Sequence, residues 1–156
     1  MVKKILLVIL VLLIISQFFQ PSKNNGSAAS ATDITHAIAV PDSIERLLST
    51  ACYDCHSNHT NYPWYSRITP VNWWLRNHIN EGKRELNFSV FASYNNKRKM
   101  KKLEEVAKEV KEHEMPISSY LWIHNEAKLS DAQRQLLVDW ATAAREKVLQ
   151  DSLAAH

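Results

Sequence analysis

The chain of 156 residues contains two cysteines, Cys52 and Cys55, and a histidine, His56, directly follows the second. On a turn of helix, residues three or four positions apart lie on nearly the same face. We therefore expect these three side chains to point into one space. Two thiols and an imidazole on one helical turn indicate a site for a specific bound group, and the rest of the chain has to fold around that site.

The pattern C-x-x-C-H is the attachment signature of c-type haem. In that chemistry the two thiols add to the two vinyl groups of the haem, and the adjacent imidazole binds the iron on one side of the haem plane. The sequence predicts one covalent haem c, with Cys52 and Cys55 as the thioether attachments and His56 as the proximal iron ligand.

Other roles for the two cysteines fit less well. A thioredoxin-type C-x-x-C belongs to a βαβ setting, and no such setting is visible here. A structural zinc site usually has four ligands rich in cysteine; here the others would have to be histidines such as His59. A disulfide between residues three apart would close a very small loop and stabilise the fold little.

Apolar residues recur at helical spacing through most of the chain, and sustained β-alternation is absent. We therefore predict an all-α domain with long loops between short helices. A first helix follows Asp42, Thr69 caps a second that begins at Pro70 and ends at Gly82, and a third covers Lys97–His113. The predicted inward faces are Ile44, Leu47, Leu48, Ala51 and Cys52; Val71, Trp74, Leu75, His78 and Ile79; and Met100, Leu103, Ala107 and Val110.

Ser130 and Gln133 have the spacing of a capping box, which predicts the start of a last helix. Its expected apolar face comprises Leu136, Leu137, Trp140 and Ala144. The segment before it, which contains Pro116, is predicted to be a loop.

The N-terminus differs in composition from the rest of the chain. Lys3 and Lys4 precede the apolar run Ile5–Ile15, a pattern typical of a secretory signal or a short uncleaved anchor. We predict a signal peptide or membrane anchor over residues 1–20, a flexible tether over 21–36 and a haem-binding, cytochrome c-like domain over 37–150. Export to the periplasm is expected, with the protein either soluble there or tethered to the membrane.

Two longer segments carry a resemblance to a known family. The stretches CYDCHSNHTNYPWYSRITPVNWWLRNHINEGKRELNFS and EMPISSYLWIHNEAKLSDAQRQLLVDWA resemble the bacterial haem-binding domain family related to cytochrome c. The resemblance covers about residues 37–144. It implies one covalent haem c in an exported, mostly helical domain, but it supplies no partner.

The ligand on the other side of the iron separates electron transfer from ligand chemistry. Met115-Pro116, placed between two helices, resembles the loop methionine of monohaem cytochromes c, and a thioether ligand raises the reduction potential. His78 lies on an apolar stripe and is the alternative, giving bis-histidine ligation. His59 is too close to His56 along the chain to reach the opposite face. His113 and His124 flank the Met115 loop and are predicted to lie at the surface.

Several further residues are candidates for the haem pocket or for docking. Tyr62, Trp64, Tyr65 and Arg67 are candidates for the pocket wall or for bonds to a haem propionate. The basic run KRKMKK, residues 97–102, is either a solvated helix face or a docking patch for an acidic redox partner.

The sequence thus predicts an exported monohaem cytochrome c that carries single electrons between redox partner proteins and is not an enzyme. The alternative is a haem sensor or peroxidase-like protein with an open sixth position on the iron. The net charge of +3 is too small to indicate a nucleic-acid partner. The sequence does not indicate an oligomeric state.

Overall fold

Helices make up the regular structure of the computed structural model, which describes residues 1–27 and 30–154. The α-helices are α1 (Val2–Ser16), α2 (Asp42–Ala51), α3 (Tyr53–His56), α4 (Val71–Glu85), α5 (Asn96–Lys111), α6 (Ser118–Leu121) and α7 (Asp131–Ala154). Short 3₁₀ helices cover Ile34–His36, Trp64–Arg67, Phe88–Ser93 and Asn125–Ala127. The described ranges contain no strand, only an isolated antiparallel bridge between Asn25 and His59. The all-α prediction is confirmed.

The centre of the core lies between α5 and α7, which pack along each other. α2 packs against α7, and the 3₁₀ helix Ile34–His36 packs against Phe88–Ser93. These elements share one buried apolar cluster, whose largest fully buried members are Ile34, Ile44, Leu48, Phe88, Phe91, Leu103 and Leu137.

The helical periodicity predicted the inward faces of α2, α5 and α7 largely correctly. Ile44 and Leu48 on α2 are buried, as are Leu103 and Val110 on α5. On α7 the exception is Leu136, whose side chain is 43% exposed. Leu136 is the residue before the fully buried Leu137, so the two side chains point about 100° apart around the helix. Leu136 therefore faces partly toward solvent.

The predicted capping box at the start of α7 is confirmed. The Ser130 backbone N–H donates to Gln133 Oε1 at 2.8 Å, and the Gln133 backbone N–H donates to Ser130 Oγ at 3.3 Å. These two bonds satisfy N–H groups that have no partner inside the helix.

The ends predicted for α4 are wrong at both sides. Thr69 does not cap the helix, because its hydroxyl oxygen accepts a hydrogen bond from the side chain of Asn72 at 3.0 Å, and Pro70 precedes the first helical residue. The helix also continues through Gly82 to Glu85. Part of its predicted inward face is exposed, since Trp74 is 46% accessible.

Gly82 has a packing role instead of a terminating one. A β-carbon added there would lie 2.7 Å from the carbonyl oxygen of Cys55 and 3.1 Å from the Cys55 β-carbon. Only a glycine lets the backbone of α3 come this close to α4. The short α3 is therefore held directly against the longer helix.

Part of the segment predicted to be a flexible tether contacts the domain. Asn24 Nδ2 donates to the Ser57 carbonyl at 3.0 Å, and Ile34 is fully buried in the core. The polar composition of this segment predicted a tether, although one of its large apolar residues, Ile34, belongs to the core. Residues 28 and 29 of the predicted tether lie outside the described residues, and the division of the chain at 20 and 36 stays a prediction.

No residue of α1 belongs to the apolar core of the domain. None of its residues is buried. Among the residues that the structure describes, no helix combines the length and apolar character needed to cross a membrane.

The close approach of α3 to α4 predicts the effect of a methyl group at position 82. At an exposed helical site Gly→Ala stabilises by about 0.5–1 kcal/mol. Gly82→Ala should instead lower the free energy of unfolding by roughly 1–3 kcal/mol, because the new methyl overlaps the Cys55 backbone. Denaturant unfolding measures the change.

Asn80→Ala is the matched control, because Asn80 is exposed on the same helix. It should leave stability unchanged or slightly raised. A Gly82→Ala protein as stable as the wild type would show that α3 has room to move away from α4.

Candidate functional site

Cys52, Cys55 and His56 lie on one helical turn, as the spacing predicted. The backbone N–H groups of Cys55 and His56 both donate to the Cys52 carbonyl, at 3.2 and 2.9 Å. Cys52 precedes the short helix α3, and His56 ends it. The two thiols are not joined in a disulfide.

The turn forms part of the wall of a two-lobed cavity. The first lobe has a volume of about 430 Å³ and the second about 400 Å³. The lobes adjoin, because both are lined by Ala51, Cys52, His56, Glu85 and Met115. We call this space the cysteine cavity. Its location, on the side chains of C-x-x-C-H, is where the predicted cofactor would have to bind.

The two lobes have different walls. Apolar side chains of Leu86, Phe88, Val106 and Val110 line the first lobe, together with charged residues of α5. The second lobe lies between α3, α4 and the segment from Met115 to Tyr120, and Cys55 lines it. A large and mainly apolar group with charged edges suits walls of this kind.

A hydrogen bond fixes the orientation of the His56 ring. Its Nδ1 lies 3.0 Å from the carbonyl oxygen of Leu86. Because a carbonyl only accepts, Nδ1 has to carry the proton, and the lone pair of Nε2 is then available to a metal. Burial lowers the pKa of His56, which favours the neutral imidazole that binds metals. Phe88 packs edge-on against the ring, at 6.4 Å between centroids.

Both thiols are held in the neutral form. Burial raises the pKa of Cys52 to about 12 and that of Cys55 to about 11. A redox-active C-x-x-C depends on a lowered thiol pKa. The shift here has the opposite sign, so the environment disfavours the thioredoxin-type role that the sequence also left open.

Both candidates for the second axial ligand reach the cysteine cavity. Met115 lines both lobes, and His78 lines the second. His78 Nδ1 lies 3.0 Å from the Trp74 carbonyl, and its ring stacks obliquely on Trp74. The choice between Met115 and His78 stays open.

The other histidines considered from the sequence lie off the cavity walls. His59 and His113 are exposed. His124 Nε2 is 2.7 Å from the hydroxyl of Tyr65, and its Nδ1 is 3.1 Å from Glu126. Within the described residues, no three or more His, Cys, Asp or Glu side chains are grouped closely enough to share a metal ion.

The four aromatic and basic candidates for the pocket wall lie elsewhere. Tyr62 accepts a hydrogen bond from the Asn24 backbone at 2.7 Å, Trp64 is 76% exposed, and Tyr65 pairs with His124. Arg67 is exposed and lines a separate cavity near Pro21. None of the four lines the cysteine cavity. The loop after α3 turns toward the N-terminal segment, as the bond between Asn24 and Tyr62 shows, and a contact of these four residues with bound haem stays a prediction.

Tyr120 occupies a place on the cavity wall that the sequence did not predict. It lines the second lobe, and its hydroxyl donates to Asp54, inside the C-x-x-C-H turn, at 2.8 Å. Its ring stacks on His124 at 4.2 Å. Its only signal in the sequence was its position shortly after Met115-Pro116.

Lys102, in the predicted docking patch, is also a cavity residue. Its side chain is 11% exposed, and it pairs with Glu105 at 2.6 Å and Glu85 at 3.6 Å. All three residues line the first lobe. The basic run at the start of α5 is therefore only partly available to a partner protein.

Arg134 fixes the loop that carries Met115. Its Nη1 donates to the carbonyl of Val110 at 3.1 Å and to that of Met115 at 2.9 Å. The Met115 N–H in turn donates to the Glu109 carbonyl at 3.2 Å. Nothing in the sequence pattern around Arg134 indicated this role.

The guanidinium contacts predict a large effect of removing Arg134. Arg134→Leu should lower the free energy of unfolding by about 2 kcal/mol, because two backbone carbonyls lose a charged donor. Thermal or denaturant unfolding measures this. The neighbouring Gln135→Leu, at an exposed site, should change stability by less than about 0.5 kcal/mol. Equal effects of the two changes would contradict the assigned role of Arg134.

Comparison with known proteins gives one family. The model of the family described as haem-binding domain matches residues 11–143. No curated protein and no solved structure matches the chain. The match covers most of the chain and includes the C-x-x-C-H turn, α4, α5 and the Met115 loop. The resemblance to haem-binding domains is thereby confirmed, whereas the relation to monohaem cytochromes c stays a prediction. The chain belongs to the haem-binding domain family.

Proposed function

We propose that this chain is an exported monohaem c-type cytochrome that carries single electrons between redox partner proteins. The observation that carries the proposal is that Cys52, His56 and Met115 share the walls of one cavity. Two attachment thiols, a neutral imidazole and a thioether are the donors that a Met/His c-type haem site uses.

Each residue has a distinct part in this proposal. Cys52 and Cys55 would hold the haem through thioethers, and His56 would bind the iron through Nε2. The Leu86 carbonyl accepts from His56 Nδ1 and so leaves Nε2 free for that role. Bound haem supplies a one-electron iron couple. The apolar side chains of the first lobe would lower the polarity around bound haem, which changes the relative energy of the two charge states of the iron.

Met115, which lines both lobes of the cavity, would be the second iron ligand in the proposal. Its sulfur is a soft donor that favours ferrous iron and raises the potential. Arg134 supports this part by fixing the Met115 backbone. His78 is the alternative, and an open sixth position would favour the sensor or peroxidase-like function.

Export is part of the proposal because haem attachment to C-x-x-C-H in cytochromes c takes place outside the cytoplasm. Residues 1–20 supply the basic start and apolar run that an export signal or anchor has. In this proposal the haem-binding domain lies in the periplasm, where it is either free or tethered to the membrane by that segment.

Covalent attachment predicts that haem stays with the polypeptide during extraction with acidified acetone. Cys52→Ala should keep haem through a single thioether, and Cys52→Ala/Cys55→Ala should release it into the organic phase. His59→Ala, a histidine off the cavity walls, is the control and should retain haem like the wild type. Release of haem from the wild type would contradict a c-type site while leaving non-covalent binding intact.

Ligation by Met115 predicts a weak far-red charge-transfer band in the ferric spectrum and slow binding of carbon monoxide to the ferrous protein. Met115→Ala should abolish the band, open the iron to carbon monoxide and lower the potential, because the thioether is lost. His78→Ala is the matched control on the same lobe and should keep the band.

The opposite pattern identifies the other candidates. If His78→Ala is the variant that admits carbon monoxide, ligation is bis-histidine. If the wild type binds carbon monoxide rapidly, the sixth position is open, and the sensor or peroxidase-like function replaces electron carriage.

A further inference from the structure

α1 is an apolar helix with nothing packed around it. From Ile5 to Ile15 its side chains are between 44% and 61% exposed, so no face of the helix is covered by protein. A helix that is apolar on all sides belongs in an apolar surrounding. Its first turn carries Lys3 and Lys4, and a lysine at a membrane surface lays its apolar stem along lipid while its charged end stays in water.

The end of this helix is joined to the domain by side-chain hydrogen bonds to buried groups. Gln17 accepts from the Thr69 N–H at 3.0 Å and donates to the Thr69 carbonyl at 3.0 Å. Gln20 accepts from the side-chain amide of Asn72 at 2.6 Å. Thr69 and Asn72 are themselves buried. We call these four residues the glutamine joint. Because Gln17 makes two bonds to one backbone unit, the joint constrains the direction of α1 and not only its distance.

Exposed apolar side chains surround the glutamine joint. They are Phe18 (84% exposed), Phe19 (64%), Ile68 (43%), Val71 (37%) and Trp73 (45%), and we call them the collar. Trp73 Nε1 donates to the Phe19 carbonyl at 2.8 Å, so the two parts of the collar touch. Arg67, next to Ile68, is exposed.

The collar is continuous with α1 and has the composition of a membrane interface. A tryptophan ring suits the headgroup level of a bilayer, and phenylalanine rings near a basic side chain suit the boundary between headgroups and acyl chains. A soluble partner protein would have to cover the whole circumference of α1 as well as the collar. A bilayer covers both at once.

We propose that a phospholipid bilayer is the partner of this surface, with the apolar side chains of α1 in its lipid, without a full crossing of the bilayer by α1, and with the collar at the headgroup layer. The glutamine joint then holds the haem-binding domain against the membrane in one orientation, so that the domain does not move freely on a tether. This inference rests on the proposed export with residues 1–20 retained. Its experiment measures lipid contact and is independent of haem attachment or ligation.

The test uses the full-length holoprotein in vesicles of phosphatidylethanolamine and phosphatidylglycerol that contain a minor fraction of diazirine-bearing phosphatidylcholine. After irradiation and trypsin digestion, lipid adducts are located by mass spectrometry. Adducts are expected on peptide 5–23, which contains most of α1, and on peptide 68–76, which contains the domain part of the collar. Peptide 135–145 is the internal control, because its Leu136 is 43% exposed, as is Ile68. It should carry few adducts.

A substitution in the glutamine joint distinguishes a domain that is held in one orientation from a domain on a flexible tether. Gln17→Ala/Gln20→Ala should keep the adducts on peptide 5–23 and lose those on peptide 68–76. Ser22→Ala, an exposed neighbour, should change neither. The haem absorption spectrum and helical circular dichroism verify that each variant is folded.

The outcomes are distinct. Wild-type adducts on peptide 5–23 alone would overturn the fixed orientation and leave a flexible tether. Adducts on neither peptide would overturn membrane insertion. Equal adducts on peptides 68–76 and 135–145 would show that the contact is unspecific and overturn the collar. None of these results changes the extraction of haem, so failure of this inference and failure of the proposed function are distinguishable.

Discussion

The close contact between the Cys55 backbone and Gly82 is the interaction on which the site depends. It holds the four-residue helix α3 against the much longer α4. A helix of four residues does not form stably alone, because the cost of nucleation exceeds what so few hydrogen bonds return. With α3 fixed in this way, the Leu86 carbonyl, just beyond the end of α4, meets His56. The position of the two thiols and the imidazole therefore depends on the absence of a β-carbon at residue 82, together with the packing of α3 against α2 and the 3₁₀ helix Phe88–Ser93.

Local features of the sequence predicted local parts of the fold. The capping box of Ser130 and Gln133 and the buried stripes of α2 and α5 depend on residues within one or two helical turns, so the sequence alone determines them. The C-x-x-C-H cluster was predictable for the same reason. The end of α4 was not, because the role of Gly82 depends on Cys55, which is distant in sequence.

The parts of the site that the sequence missed come from contacts between distant segments. Arg134 reaches the Met115 loop from α7, and Tyr120 reaches Asp54 inside the C-x-x-C-H turn. Lys102 belongs to a basic run but is buried beside Glu85 and Glu105. Arginine and lysine are common at protein surfaces and tyrosine is often partly exposed. Only the packing of the helices puts Lys102 and Tyr120 on the cavity wall and Arg134 against the Met115 loop.

Covalent attachment of one haem in the cysteine cavity is the central claim of this account. Intact-mass spectrometry of the denatured holoprotein tests it most directly, with fragmentation to locate the added mass. The account predicts the mass of the polypeptide plus one haem, located on the peptide that contains Cys52, Cys55 and His56. The mass of the bare polypeptide, from protein that binds haem when folded, would contradict it.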